Sequence, residues 1–273
     1  MRSHAEDLRP HADKYTYVPV TTQPSQVPAF IREAHRALSN ERLLEYRRAP
    51  SDTALQRLGL YAWNIALCES LYPALHLCEV TLRNRLFDVL RREYPVIPRG
   101  IRVTSWLDDG TRVLTPEHAE RVAAAKRKLL GRLKGSRVPF TSGRLVAEMS
   151  FGFWTYLFDS NYGYVSAKTP GLWPRLLDDV FPNLPDPHLV PRRRGDFAAR
   201  FAEIVRLRNR AFHHEPLWKE QDLDQKHAMV METIRWMNPA VARALQELDR
   251  FAWVWQESTA RYLRRAIREV AKQ

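Results

Sequence analysis

Hydrophobic residues along this chain recur at spacings of three and four, and clusters of Pro, Gly and Ser separate the periodic stretches. Leu75, Glu79, Leu82, Leu86 and Leu90 form one such series, and Leu71, Ala74 and Cys78 widen its stripe. That is the pattern of a helix buried along one face, here with one carboxylate, Glu79, inside the stripe. The run predicts a long helix reaching about Tyr94, opened by N-cap oxygens from Ser51 and Asp52. Pro73 lies within it and is expected to kink or divide it, because proline removes a backbone donor and crowds the preceding turn. Upstream, short helices are expected at about 28–38 and from Ser39-Asn40 to before Pro50.

Downstream, Thr115-Pro116 opens a basic helix to about Leu133, with proline at the favoured first position. Residues 134–142 read as a loop. The stretch Leu145 to Tyr156 is dense in aromatics, including Phe151, Phe153 and Trp154, and these are expected in the core rather than on a ligand platform. A short amphipathic piece runs from Leu172 to Phe181. Pro182, Pro185, Pro187 and Pro191 then lead into Arg192-Arg193-Arg194, a basic linker. Asp196 is the expected cap of a helix from about Phe197 to His213, which Pro216 ends. Two or three further helices follow, with a break at Asn238-Pro239. Since no two-residue alternation persists, the fold class expected is all-α, a multi-helix bundle. The organisation expected is a polar arm over 1–26, one helical domain over 27–255 and a basic C-terminal helix over 256–273.

Charge adds a partner class. Lys and Arg number 43 against 31 Asp and Glu, a net charge of +12 over 273 residues. Such a chain repels itself when compact, and a polyanion relieves that repulsion. Charge alone leaves open both a nucleic-acid partner and plainly solvated basic faces. Besides Arg192, Arg193 and Arg194, the pairs and triplets Arg91-Arg92 and Lys126-Arg127-Lys128 are phosphate-track candidates. The two cysteines, Cys68 and Cys78, form no CxxC, and the nine His make no zinc pattern with them. A reducing compartment is expected, with no metal and no cofactor. No run approaches about 20 consecutive apolar residues, and residues 1–17 carry charge without an apolar signal region. A cytoplasmic protein with no membrane partner is expected. No P-loop, no nucleophilic Ser/His/Asp set and no dinucleotide fingerprint occurs.

The chemistry concentrates in Arg208-Asn209-Arg210-Ala211-Phe212-His213. Phe201, Ile204, Val205 and Ala211 mark the apolar stripe of this helix, and Arg208 falls four after Ile204 and three before Ala211. A guanidinium in that position needs a carboxylate or a bound phosphate. Asn209 and His213 are four apart and share a face, so the amide could fix the tautomer of the ring. Arg208 and His213 are five apart, about 140° around an ideal helix, and converge on one ligand only where the helix loosens. An Arg, an amide and a His suit metal-free phosphodiester cleavage. The Arg stabilises phosphate charge, the His moves a proton near neutral pH, and RNA supplies its own 2′-OH. Equally, Arg208 could pair with Glu79 while His213 caps the helix C-terminus.

Arg208 to His213 resembles the R-x4-6-H motif of HEPN ribonuclease domains, including the polar residue after the Arg. Further segments resemble the Abi-like (abortive infection) branch of that superfamily. They are Tyr61-Ala62-Trp63-Asn64, Glu79-Val80-Thr81-Leu82-Arg83-Asn84, Phe151-Gly152-Phe153-Trp154 and Leu207 to Leu217, in order across roughly residues 40–240. The resemblance implies a HEPN-like helical fold and metal-independent endoribonuclease activity. It also implies a role in bacterial anti-phage defence or as a toxin, with a possible antitoxin or phage-derived trigger as partner. Two such motifs usually meet across a homodimer. This chain carries a single R-x4-H, at Arg208 and His213; its echo at Arg83-Asn84 has Asp88 where the His would fall. The site expected is therefore Arg208, Asn209 and His213, with Glu79 and His214 behind them and Arg210, Arg83, Arg192, Arg193 and Arg194 as RNA contacts. The competing readings are an RNA-binding module that does not cut and a partner-neutralised interaction protein.

Overall fold

The structure is a computed structural model that describes residues 26–97, 99–100, 103–109, 113–163, 171–257, 261–262 and 264. It is 69% helical with no strand among the described residues, which makes it an all-α, multi-helix protein. The chain divides into two compact units, one formed by Met1–Trp63 with Ser258–Gln273 and the other by Asn64–Glu257. The breaks thus fall at 63/64 and 257/258, whereas sequence composition places them at 26/27 and 255/256. The polar arm lies almost wholly outside the described residues.

In the first unit, α1 (Gln26–Leu38) and α2 (Asn40–Leu44) precede the start of α3 (Ala54–Glu93). Ser39 caps α2, its hydroxyl accepting the Arg42 N–H at 3.2 Å. The cap of α3 differs from expectation. Thr53 Oγ1 accepts the Gln56 N–H at 3.2 Å, and Gln56 Oε1 accepts the Thr53 N–H at 2.7 Å. This reciprocal pair is a capping box. Asp52 is engaged one turn earlier, accepting the N–H groups of Arg48 and Ala49. Those bonds hold its carboxyl below the usual carboxylate range. Tyr46 is buried and meets Tyr61 edge-on at 4.9 Å.

The expected division of α3 at Pro73 does not occur: the helix runs unbroken from Ala54 to Glu93. Proline orphans the carbonyl four residues back, which belongs to Glu69, and Glu69 is an exposed residue where water can take the place of the lost donor. By length and composition α3 would pass for a membrane span. Its apolar face, with Leu67, Leu71, Leu75, Leu82 and Leu86, is buried within the protein.

The second unit continues with α4 (Trp106–Asp109), α5 (Pro116–Leu133), α6 (Ser142–Glu148), α7 (Phe151–Tyr156) and α8 (Leu177–Val180). Then come α9 (Arg194–Phe212), α10 (Leu223–Met237), α11 (Pro239–Gln246) and α12 (Phe251–Gln256). Thr115 caps α5 as expected. The aromatic stretch is two helices, each with its own hydroxyl cap, Thr141 and Ser150. Phe151, Phe153 and Trp154 are buried there, in the core rather than on a platform. Asn238 caps α11 by accepting the N–H groups of Ala240 and Val241, with Pro239 at the first position. Cys78 is buried, and burial pushes its thiol pKa up to about 12.

The N-terminal end of α9 is set in an aromatic cluster. Phe158 stacks on Trp173 at 4.4 Å and on Phe201 at 4.9 Å, and Phe181 meets Phe197 at 4.9 Å. Burial of such rings supplies much of the driving force for folding. It fixes the N-terminal end of α9.

Candidate active site at the end of helix α9

Helix α9 starts at Arg194, so Asp196 sits in its first turn rather than at the cap. Phe197, Phe201, Ile204, Leu207 and Ala211 form the buried stripe. The helix ends at Phe212, and His213 is the C-cap, with φ −92° and ψ 10°. His214 follows in the left-handed region at φ 59°. The Glu215 N–H reaches back to the Arg210 carbonyl at 3.0 Å and the His214 N–H to Ala211 at 3.4 Å. This is the paired-bond cap that usually carries glycine at its left-handed position; histidine is among the residues that tolerate it best. Backbone departure from helical geometry therefore begins at His213, where convergence with Arg208 requires it.

Two sets of contacts hold this turn. Asn64, buried on α3, accepts the N–H groups of Leu217 at 2.7 Å and Trp218 at 3.3 Å. Its amide nitrogen donates to the Glu215 carbonyl at 3.1 Å. On the other side Arg210 pairs with Glu215 at 3.0 Å and with Glu220, and donates to the Pro216 carbonyl. Glu220 continues to Lys226, which also reaches Asp222 at 3.1 Å and Glu203 at 3.2 Å.

Arg208 is differently placed. Its side chain is 33% exposed at the edge of the stripe. Its Nε lies 3.9 Å from Glu79 Oε2, at the outer limit of an ion pair. That Nε is shielded from solvent and makes no hydrogen bond. The guanidinium lies 4.5 Å from the centre of the Phe212 ring, a cation–π contact. Phe212 is 40% exposed and meets Tyr72 of α3 at 5.6 Å. Tyr72, 49% exposed, stacks nearly parallel on His76 at 5.6 Å. Tyr72, His76, Glu79 and Arg83 are spaced four, three and four along α3 and so share one face. Arg83 also has a buried Nε without a hydrogen bond.

The structure thus brings Arg208 and Glu79 together and places Arg83 one turn from Glu79. His213 is exposed at the helix end, and among the described residues its ring makes no hydrogen bond or ion pair. Asn209 does not take the expected role. Its side-chain oxygen lies 3.4 Å from Arg208 Nη1, and it is the Asn209 backbone carbonyl that accepts the His213 N–H, at 2.8 Å. His214 serves the turn through its backbone. Arg210 is neutralised by Glu215 and Glu220.

The basic linker is not part of this constellation. Arg192 pairs with Asp178 and donates to the carbonyls of Pro185 and Val190, and Arg194 donates to Phe158. Arg193 is exposed but stands at the opposite end of α9, about 22 Å along the axis from Arg208. Arg192 fastens the proline-rich segment, and Arg194 ties the start of α9 to the Phe158 carbonyl. Sequence reasoning passed over Tyr72, His76 and Phe212. The signal available was the i, i+4, i+7 spacing that sets Tyr72 and His76 on the Glu79 face.

Among the described residues no three or more His, Cys, Asp or Glu side chains gather so as to hold a metal ion. No protein-family model, no curated protein and no solved structure matches this chain. The functional reading rests on the residues themselves.

Proposed function

We propose that the protein is a metal-independent endoribonuclease of the Abi-like HEPN kind, acting in bacterial anti-phage defence or as a toxin. One observation carries the reading: Arg208 is half-buried with only a 3.9 Å carboxylate contact and an unbonded, shielded Nε, in the same motif as an exposed His213. Burying a guanidinium so incompletely paired is unfavourable, and a phosphate against its exposed part would add the anionic partner that Glu79 supplies only at 3.9 Å. A long, partial Arg208–Glu79 pair lets Glu79 orient the guanidinium without neutralising it.

In the reaction, Arg208 holds the scissile phosphate and stabilises the charge that develops on it. His213 takes the proton from the 2′-OH, whose oxygen attacks the adjacent phosphorus. The bond to the 5′-oxygen breaks, leaving a 2′,3′-cyclic phosphate on one fragment. The leaving 5′-oxygen takes a proton from a second acid, and in a homodimer His213 of the partner subunit fills that role. A cytoplasmic location, RNA as substrate and an antitoxin or phage-derived trigger belong to the same reading.

A second reading keeps the phosphate site without cleavage, since Arg208 is also restrained by Glu79 and Phe212. Incubating purified protein with RNA in EDTA decides between the two. Cutting that leaves cyclic phosphate and 5′-OH ends, lost in His213→Ala and Arg208→Ala, is expected. Salt-dependent binding with no cutting would establish the RNA-binding module instead.

A further inference from the structure

Tyr72 and Phe212 are large aromatic side chains that reach the surface from two different helices, α3 and α9, and meet at 5.6 Å. Neither has a role in proton transfer or in holding the turn. Phe212 lies under the Arg208 guanidinium at 4.5 Å, and Tyr72 continues into a near-parallel stack with His76, 12° between planes. The result is a short run of partly exposed rings that begins beside Arg208.

We propose that Tyr72 and Phe212 form a stacking subsite for an unpaired nucleobase beside the phosphate held by Arg208. The inference rests on the ribonuclease reading and narrows its substrate to RNA whose base next to the cut is free of a pairing partner. Ring faces take any base by stacking, so the subsite tolerates sequence. A base in a duplex is stacked and paired on both sides and cannot leave without unpairing. Charge complementarity favours a nucleotide over an apolar protein segment. The patch is two rings wide, it adjoins Arg208 and the Arg83 face of α3, and the chain carries +12. A nucleotide offers both things the patch lacks, a flat face for the rings and an anion for Arg208. His76 extends the same stack along α3.

The test compares wild type, Tyr72→Phe and Tyr72→Leu on a short mixed-sequence single-stranded RNA and on the same RNA in a perfect duplex. Binding is read by fluorescence anisotropy and cleavage in EDTA. Tyr72 is exposed, so neither variant disturbs the core, and circular dichroism confirms the fold. Wild type should bind and cut the single strand and leave the duplex. Tyr72→Phe should behave as wild type, and Tyr72→Leu should lose roughly five- to a hundred-fold in affinity for the single strand, the range one lost base stack implies. Duplex cut as fast as single strand, or Tyr72→Leu binding like wild type, overturns the subsite and leaves the ribonuclease reading standing. Tyr72→Leu converting a dimer to a monomer overturns it too, because a second copy would then cover the rings. RNA neither bound nor cut by wild type sinks the ribonuclease reading, and the subsite with it.

Discussion

At the scale of single residues, the proposed cleavage depends on two side chains, Arg208 and His213. His213→Ala should lower the cleavage rate by about 10²–10⁴-fold, the usual worth of a positioned proton-transfer group. Arg208→Lys should not restore Arg208→Ala to wild-type rates, because a point charge does not reproduce a planar fork over phosphate. His214→Ala should be milder than His213→Ala, since His214 acts through its left-handed backbone; single-turnover rates on one RNA measure all four. Two other histidines, His118 and His227, are buried in the fold. His118 is fully buried, with Nδ1 2.6 Å from the Tyr162 hydroxyl and Nε2 without a partner. The Tyr162 hydroxyl accepts the Thr115 N–H and is hydrogen-bonded to the His118 ring. Burial holds the His118 pKa below its ordinary value, and burial does the same for His227 against the opposing pull of Asp249. A histidine depressed in the folded state binds fewer protons than the unfolded chain does. Stability is therefore full above about pH 6.5 and falls as pH drops below it, levelling off under the folded-state pKa. Urea midpoints should decrease from pH 7.5 to pH 5, and less steeply in His118→Gln. An unchanged slope in that variant would refute the assignment. Arg208 and Glu79 were legible as partners because each broke an apolar stripe. The buried His118 was not, since nothing local marks a histidine whose cage comes from Phe153, Tyr156 and Tyr162.

At the scale of elements, caps and clamps explain what the periodic pattern left out. Thr115, Asn238 and the helices they open read directly from the chain, because a cap is a local event between residues two or three apart. Ser51-Asp52 gave way to Thr53 at α3 because Gln56 completes a reciprocal box that neither earlier residue can form. Asp196 gave way because α9 begins at Arg194, three residues upstream of Phe197 and inside the arginine run. Pro73 left α3 whole, for the chain on either side is anchored by buried leucines, and packing outweighs one lost bond. Asn64 is the sharper case. Three of its hydrogen bonds reach residues 215–218, about 150 positions away, and no spacing rule connects them. Asn64→Ala would leave the buried Leu217 N–H without an acceptor, which costs about 1–3 kcal/mol. It would also free the segment after His214. The expected outcome is a lower urea midpoint together with a cleavage loss greater than stability explains, measured well below the unfolding transition. Asn64→Asp should keep the two accepting bonds and retain more activity than Asn64→Ala; equal activity of the two variants would confine Asn64 to packing.

At the scale of the whole molecule, the all-α class followed from the absence of two-residue alternation, and the structure agrees with it. The division into two units did not, because it depends on contacts between residues far apart in sequence. The number of copies that act together is argued from the chemistry. Transesterification needs a proton taken from the 2′-OH and a proton given to the 5′-oxygen, and each chain offers one R-x4-H motif. The echo on α3 cannot supply the second, since Asp88 stands in the histidine position and pairs with Arg91 at 3.1 Å. Two copies related by a two-fold axis would supply both protons, through a self-complementary interface. Cleavage per protomer should then fall on dilution through the dimer dissociation constant, in step with the mass seen by light scattering. Mixing wild type with excess His213→Ala should depress activity beyond simple dilution, because mixed dimers carry one imidazole. The measurements should be made in EDTA and at fixed salt, since a +12 chain binds RNA more weakly as ionic strength rises whether or not it dimerises. DNA should compete for binding and remain uncut, lacking the 2′-OH. A species that stays monomeric at all concentrations and still cuts RNA at a constant rate per chain would rule out the shared site. It would place the second proton donor within one chain, where His76 on the Glu79 face of α3 is the imidazole to mutate next.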